Sequence, residues 1–228
     1  MSEYVVIIPS RNRYELCLRA IRSALAQTLP PEEVIVIDDA STDHRYEWLQ
    51  EIANDARVVV LRDEVSSQDR TGAGFAVGSV RNRGLAYVRR AQFGGWVAFL
   101  DDDDEWLTEK MAIQFEAAKT YDDVRLFCSN AFNRTPSGLV VGYHHGDHGR
   151  RLDNRCHDVT RCLREFNPVI CSSAVIHAET AAKVGWQQEA GYGEDWDYWR
   201  RAAVMTPVFR IDEPLLFYAV NNPKEYTL

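Results

Sequence analysis

The stretch Trp96-Val-Ala-Phe-Leu-Asp-Asp-Asp-Asp104 decides the fold class, because a short apolar run ends in four consecutive carboxylates. Two earlier runs also end at polar residues: Val34–Ile37 leads into Asp38-Asp39, and Tyr4–Ile8 is stopped by Pro9-Ser10. Nearly continuous apolar runs of this length are typical of strands buried on both faces of a parallel sheet. With a further run at Arg57–Leu61, they predict four such strands.

Helical segments separate these strands. Apolar residues at helical spacing predict a helix at Glu15–Ala26, which Pro30-Pro31 would end. His44–Ala53 and Ser79–Ala91 are further predicted helices, and Gly94-Gly95 is a stop signal after the second of them. Alternating strands and helices predict a mostly parallel, Rossmann-like sheet flanked by helices.

The second half of the chain has a less regular pattern. It predicts helices at Thr108–Tyr121 and Asp195–Met205, strands at Leu126–Ser129 and Val169–Ile176, and a long loop at Asn133–Arg155 with a short strand at Leu139–Tyr143. The fold class that follows is α/β, as a single domain with a more mixed C-terminal half. A length of 228 residues agrees with one domain.

Composition narrows the functional classes. The formal net charge is −8, which argues against a nucleic-acid-binding protein. Five cysteines without a C-x-x-C pair argue against a disulfide framework or a four-cysteine zinc site and favour reduced thiols in the cytosol. No apolar run approaches the ~20 residues that span a bilayer, and no signal peptide is recognised. We expect a cytoplasmic protein without a transmembrane segment, and we leave peripheral contact with a membrane open.

Three of the predicted strands end in polar residues, and the carboxyl ends of parallel strands form the ligand-binding edge of an open sheet. Four adjacent carboxylates repel one another, so Asp101–Asp104 favours either raised pKa values or a bound cation. If the stretch is extended, Asp101 and Asp103 face one side and Asp102 and Asp104 the other. The alternative is a solvated turn in which Asp104 caps the next helix.

Two other acidic pairs also have two interpretations each. Asp38-Asp39 precedes turn-forming residues, so it forms either a turn or a carboxylate that hydrogen-bonds a base or ribose. Glu194-Asp195 follows Gly191-Tyr-Gly193, so it supplies either ordinary acids at a helix N-terminus or a general base facing a hydroxyl.

The remaining candidates are weaker. Gly72–Gly78 has the wrong spacing for a dinucleotide loop, and no glycine follows the first strand, which excludes a nicotinamide or flavin enzyme. Ser10 lacks the G-x-S-x-G turn of hydrolases. His144, His145 and His148 with Asp147 either bind a metal or are simply exposed on the surface, and both interpretations stay open. Cys156-His157 with Cys162 has no recognised spacing of metal ligands.

Together these residues resemble family 2 of the inverting nucleotide-sugar glycosyltransferases, whose fold is called GT-A. Five segments match in order: Val5-Val-Ile-Ile-Pro-Ser-Arg-Asn-Arg13, the run from Ala24 to Asp43, Ser79-Val-Arg-Asn-Arg-Gly84, Phe99-Leu-Asp-Asp-Asp-Asp-Glu-Trp106 and Gly193-Glu-Asp-Trp-Asp197. The resemblance implies transfer of a sugar from a nucleoside-diphosphate sugar, most often UDP-linked, to a saccharide or other hydroxyl acceptor.

The resemblance also implies roles for individual residues. Residues 1–104 would bind the nucleotide sugar and residues 105–228 the acceptor. The implied nucleotide site comprises Asp39 at the base, Pro9 and Arg11 lining its pocket, Arg81 near the nucleotide or diphosphate, and Asp101 and Asp102 at the ribose and metal. Asp103, with Asp101, would coordinate manganese or magnesium, and whether one of the histidines at 144–148 completes the metal shell stays open. Asp195 would be the general base, with Glu194 shaping acceptor binding.

Two alternatives stay open. A nucleotidyltransferase also needs metal-binding carboxylates on an α/β sheet, but it would favour a glycine-rich loop after the first strand, which this chain lacks. A non-catalytic sugar-nucleotide binding module would use Asp195 only as a helix-terminal acid, and binding without turnover would identify it.

Overall fold

The structure is a computed structural model that describes residues 3–43, 54–72, 76–135, 137–138, 140–143, 156–188, 191 and 193–220. The strands are β1 (Tyr4–Ser10), β2 (Glu33–Asp38), β3 (Val58–Arg62), β4 (Trp96–Phe99), β5 (Glu105–Trp106), β6 (Leu126–Arg134), β7 (Val140–Tyr143), β8 (Cys156–Asp158), β9 (Val175–His177) and β10 (Val208–Ala219). The helices are α1 (Tyr14–Leu25), α2 (Ser67–Thr71), α3 (Val77–Arg90), α4 (Lys110–Thr120), α5 (Ala178–Val184) and α6 (Glu194–Ala202). The helix predicted at His44–Ala53 lies outside the described residues.

One sheet runs through the molecule in the order β3-β2-β1-β4-β9-β6-β10-β5, with β7 beside β6 and β8 beside β10. The first four strands are parallel, with Ile7 of β1 paired to Ile35 on one side and Phe99 on the other. β9 then pairs antiparallel with both β4 and β6, while β6 and β10 are parallel to each other. The predicted α/β class, with a parallel first half and a mixed second half, is confirmed.

Side chains alternate across this sheet and form a core on each face. Ile7, Ile35 and Phe99 pack on one face with side chains of α3, α5 and α6. Val6, Val36 and Ala98 pack on the other face with side chains of α1 and α4. Because both faces are covered, the strands are apolar along nearly their whole length, which is the pattern that the sequence displays.

Several predicted boundaries were wrong. β1 continues through Pro9 to Ser10, since β4 pairs with β1 only as far as Ile7 and Pro9 needs no amide hydrogen on that side. α1 ends at Leu25, five residues before Pro30, where the side chain of Gln27 donates to the carbonyl of Ser23 at the helix end.

Two features of the second half also differ from the prediction. Of the predicted strand Val169–Ile176, only Val175 and Ile176 join the sheet, as part of β9. The preceding residues Cys171–Ser173 instead form a single 3-10 turn, in which the Ser173 hydroxyl donates to the carbonyl of Ile170. The long strand β10 was not predicted. Its register shifts around Pro214, and Asp212 and Glu213 interrupt its apolar pattern.

Candidate active site

A cleft of about 240 Å³ lies at the carboxyl ends of β1 and β2. It is lined by Pro9, Ser10, Arg11, Arg13, Asp39, Ser67, Gln68, Ala76, Val77, Val80 and Asp102. The parallel register places these segments together, since β1 ends beside Asp38 of β2 and β4 ends just before Asp101. The cleft therefore contains four of the residues assigned to nucleotide binding by the sequence: Pro9, Arg11, Asp39 and Asp102.

Asp39 is almost fully buried at the floor of this cleft. Its two carboxylate oxygens accept hydrogen bonds from the amide of Ser67 at 2.6 Å and from the hydroxyl of Ser67 at 2.7 Å. A guanidinium nitrogen of Arg70 lies 3.9 Å away. Asp39 thus fixes the start of α2 over the cleft, a contact that sequence reasoning missed. The spacing of Ser66 and Asp69, which cap α2, was the available signal.

The four aspartates form a turn and are not extended, because the amide of Asp104 donates to the carbonyl of Asp101 at 3.2 Å. The alternation between two faces, which was predicted only for an extended stretch, therefore does not occur, and the alternative of a turn is correct in its backbone. The carboxylate of Asp102 accepts a hydrogen bond from the hydroxyl of Ser10 at 2.9 Å. Nη1 of Arg13 lies between two carboxylates, 3.1 Å from Oδ1 of Asp102 and 2.9 Å from Oδ2 of Asp103.

Asp104 has a purely internal role. Its side chain is buried and accepts a hydrogen bond from the amide of Ala219 in β10 at 2.8 Å. Helix α4 begins at Lys110, after Glu109, so the alternative of Asp104 as its cap is also wrong. Burial raises the pKa of Asp104 well above its ordinary value, and the neighbouring carboxylates Asp103 and Asp101 raise it further.

Two further carboxylates of the turn, Asp102 and Asp103, also have raised pKa values. Burial raises the pKa of Asp102 to about 7, although the charge of Arg13 acts in the opposite direction. Burial and then the charge of Asp101 raise the pKa of Asp103, and Arg13 again opposes them. This turn is therefore an electrostatically unfavourable cluster that an added cation would stabilise.

The residues present suit a divalent cation in their chemistry and exposure. The side chains of Asp101 and Asp103 are 26% and 24% exposed, whereas that of Asp102 is only 8% exposed. The two carboxylates that the resemblance assigns to the metal are thus the two most open to solvent. No group of three side-chain donors occurs among the described residues. Two carboxylates are nevertheless what magnesium-like ions commonly use when substrate phosphates supply other ligands.

Asp195 lies in the first turn of α6, within the half of the chain that the resemblance assigns to the acceptor. One oxygen accepts from the amide of Trp196 at 2.7 Å, and the other accepts from the side chain of Asn167 at 3.2 Å. Burial raises the pKa of Asp195, while the nearby charge of Arg81 opposes the increase. Sequence reasoning did not identify Asn167, because an Asn-Pro pair indicates only a turn.

Arg81 connects the two sides of the site. Its Nη2 lies 2.5 Å from Oδ1 of Asp101, and its Nη1 lies 2.8 Å from Oε1 of Glu194. Both Arg81 and Glu194 are buried. Burial raises the pKa of Glu194, and Arg81 opposes that shift. Of the predicted site residues, Arg81, Asp101, Glu194 and Asp195 form this second group beside the cleft.

The weaker candidates lie elsewhere. His144, His145, Asp147 and His148 lie outside the described residues, as does part of Gly72–Gly78. His157 pairs with Asp212 at 3.0 Å, away from the carboxylate turn.

Comparison with known proteins places this geometry in a family. The sequence profile described as glycosyl transferase family 2 matches residues 5–160. The putative teichuronic acid biosynthesis glycosyltransferase TuaG of Bacillus subtilis is 38% identical over 112 residues, which cover 49% of this chain and 40% of TuaG. The Escherichia coli protein WfaP is named a UDP-Glc:alpha-D-GlcNAc-diphosphoundecaprenol beta-1,3-glucosyltransferase. It is 31% identical over 115 residues, which cover 50% of this chain and 41% of WfaP.

Solved structures support the fold. S. aureus TarS 1-349 in complex with UDP superposes with a TM-score of 0.68 at 19% identity, covering 96% of this chain and 60% of that one. The matched stretches span less than half of the curated relatives' length. Within the described part of the chain, no helix combines the length and hydrophobicity needed to cross a bilayer.

Proposed function

Because the chain belongs to glycosyl transferase family 2, we propose that it transfers a sugar from a UDP-linked donor to an acceptor hydroxyl with inversion at the sugar carbon. The observation that carries the proposal is the arrangement of Asp195 and Asp101. Asp195, the candidate base, directly follows Glu194, which pairs with Arg81 on one side, while Asp101, on the proposed donor side, pairs with Arg81 on the other. An inverting displacement needs a base on the acceptor side, opposite the leaving group.

The cleft is proposed to hold the nucleoside diphosphate. Asp39 and Arg11 line the inner part with Pro9, where a base would lie, and Asp102 lines the side nearest the carboxylate turn. This proposal is supported by two E. coli relatives whose names specify UDP-Glc and by TarS, whose titled complexes contain UDP and UDP-GlcNAc.

In the proposed reaction, Asp195 accepts the proton of the acceptor hydroxyl while the oxygen of that hydroxyl bonds to the anomeric carbon. The bond from that carbon to the diphosphate oxygen breaks, and the nucleoside diphosphate leaves with the electron pair. The transition state has oxocarbenium character, as in glycoside hydrolysis. General-base assistance of this kind typically contributes about 10²–10⁴-fold. A raised pKa brings Asp195 nearer the working pH, and Asn167 orients its carboxylate.

A divalent cation held by Asp101 and Asp103 would stabilise the negative charge that develops on the leaving diphosphate. Glu194 is proposed to shape the acceptor side, since it is adjacent to Asp195 at the start of α6. The diphospho-lipid named for WfaP suggests polysaccharide precursors as acceptors, which would bring the protein to a membrane surface.

The proposal is tested first by ligand binding. Melting temperature should be measured with UDP, GDP, dTDP and CDP, each with and without Mn²⁺. UDP at 100 times its Kd should add about 2.7 kcal/mol, or roughly 5–10 °C for a domain of this size, and the shift should depend on the metal. No shift with any nucleotide would contradict the proposal.

Turnover then separates an enzyme from a binding module. Labelled UDP-Glc and UDP-GlcNAc should be incubated with saccharide and diphospho-lipid-linked sugar acceptors. We expect labelled product with inverted anomeric configuration. Tight UDP binding without transfer to any acceptor would instead identify a non-catalytic module.

A further inference from the structure

Arg81 bridges two carboxylates from the two halves of the molecule. Asp101 follows β4 on the donor side, whereas Glu194 begins α6, the helix that carries Asp195. The side chain of Arg81 is only 4% exposed, and both terminal nitrogens are within 2.8 Å of a carboxylate oxygen. A buried arginine with both terminal nitrogens paired is held in one orientation, because its planar fork matches carboxylate geometry.

The same helix holds the segment that leads into α6. Asn82, the next residue of α3, exchanges two hydrogen bonds with the backbone of Gln187, at 3.0 and 2.8 Å. One turn earlier, a Cβ added to Gly78 would lie 1.9 Å from the carbonyl oxygen of Gln188 and 3.1 Å from Cγ of Glu194. The close approach between α3 and this segment therefore requires glycine at position 78.

We infer that Arg81 is a positioning residue, which aligns Asp195 with the donor-side carboxylate Asp101 by holding Glu194 and Asp101 together. The inference rests on the proposed function and replaces the direct contact with nucleotide or diphosphate that the sequence suggests for Arg81. The side chain of Arg81 is only 4% exposed, so turning its guanidinium toward a nucleotide would release Asp101 or Glu194. Releasing the buried Glu194 would leave its charge unpaired, which is strongly unfavourable.

The one-sided pairing of Asp101 fits this role. Arg81 binds Oδ1 of Asp101, and the amide of Asp101 donates to the hydroxyl of Ser172 at 2.9 Å. The carboxylate is thus fixed in direction while about a quarter of its side chain stays exposed toward solvent. Loss of a partner that orients a ligand in this way typically costs roughly 10–100-fold in metal affinity or activity.

The test compares turnover with donor-nucleotide affinity in Arg81→Lys. Lysine keeps the charge but cannot pair two carboxylates through a planar fork. We expect kcat to fall about 100-fold, the loss typical of a small displacement of reacting groups. The Kd of UDP without metal, measured by calorimetry, should stay within about threefold of wild type at unchanged stoichiometry. Arg90→Lys, an exposed substitution on the same helix, is the control and should leave both values unchanged.

A second variant tests position without changing charge. Gly78→Ala should displace the segment at Gln188 and Glu194, lower kcat in the same way and leave metal-free UDP affinity unchanged.

If Arg81→Lys instead weakens metal-free UDP binding tenfold or more, in step with its loss of turnover, Arg81 contacts the nucleotide and the inference is wrong. Unchanged kcat in both variants would also overturn it. A wild-type chain that neither binds UDP nor transfers sugar would contradict the proposed function itself.

Discussion

At the scale of single residues, the four aspartates of the 101–104 turn are chemically identical but have four different surroundings. Asp104 is tied to β10, Asp102 faces the nucleotide cleft, and Asp101 is held by Arg81. The carboxylate of Asp103 pairs with the half-exposed Arg13, and Asp103 lies beside a second cavity that Arg13 also lines. These different surroundings are the reason for proposing Asp103, rather than Asp102 or Asp104, as a metal ligand.

Asp103→Ala is therefore expected to weaken UDP binding chiefly when Mn²⁺ is present. With metal, the Kd should rise at least tenfold, because one of two protein ligands is lost; without metal, it should change less than about threefold. Calorimetry under both conditions measures the difference. Asp123→Ala, at an exposed position before β6, is the control. Equal weakening with and without metal would refute this role for Asp103.

The sequence could predict which residues meet at this site but not all of their contacts. Strand ends converge for topological reasons, so Asp39, Asp101 and Asp102 could be expected at one edge. The bonds from Ser67 to Asp39 could not be expected, because α2 has only five residues and no amphipathic repeat. Their absence from the prediction made Asp39 look more available to a ligand than it is.

At the scale of elements, α3 is the helix on which the site depends. Its inner face packs against β1 so closely that Gly84 has no room for a side chain. A Cβ there would lie 2.6 Å from Cγ2 of Ile7 and 3.0 Å from its Cδ1. Since Ile7 is fully buried in the central strand, it has little freedom to move away.

Gly84→Ala should therefore destabilise the fold even though alanine favours helices. Overpacking typically costs about 1–3 kcal/mol, against a gain of about 1 kcal/mol in helix propensity. The net cost of up to about 2 kcal/mol predicts a fall of up to roughly 8 °C in melting temperature, at ~2–4 °C per kcal/mol. Gly94→Ala, where a Cβ would meet nothing within 4 Å, should be neutral. An unchanged or raised melting temperature for Gly84→Ala would show that Ile7 yields freely.

Strands with a continuous apolar run were predictable from the sequence, whereas a strand interrupted by charged residues and proline was not. β2 and β4 are uniformly apolar because both faces are covered, so sequence periodicity located them within one residue. β10 carries Asp212, Glu213 and Pro214 in mid-strand, where its register shifts relative to β6. Only the tertiary pairing with β6, β8 and β5 makes that segment a strand.

At the scale of the whole molecule, the carboxylates of the 101–104 turn lower the free energy of unfolding of the metal-free chain by an amount that depends on pH. Asp102 has an ordinary pKa near 3.8 when unfolded and about 7 when folded. A raised folded-state pKa means that the folded chain binds the proton more tightly. The stabilising contribution of Asp102 to the free energy of unfolding is therefore fully present below about pH 4 and is lost as the pH rises through 7.

Asp102→Asn should consequently gain stability relative to wild type as the pH rises. At pH 4 or below, where the contribution of the protonated Asp102 is present, the two chains should melt at similar temperatures. At pH 8 without metal the variant should be more stable, by an amount on the order of 1–4 kcal/mol at about 1.36 kcal/mol per pKa unit. Thermal unfolding across this range measures the difference. A variant destabilised equally at every pH would show that the charged Asp102 is stabilised by Arg13 at no net cost.

The central claim is that this fold places a general base opposite the donor. Sugar transfer and UDP affinity in Asp195→Asn test it most directly, with Asp197→Asn as the matched control because Asp197 pairs with Arg201 on the outer side of α6. We predict that Asp195→Asn lowers kcat about 10²–10⁴-fold and leaves the Kd of UDP unchanged, while Asp197→Asn stays active. Retained turnover in Asp195→Asn, or a loss of UDP binding equal to the loss of turnover, would contradict the account.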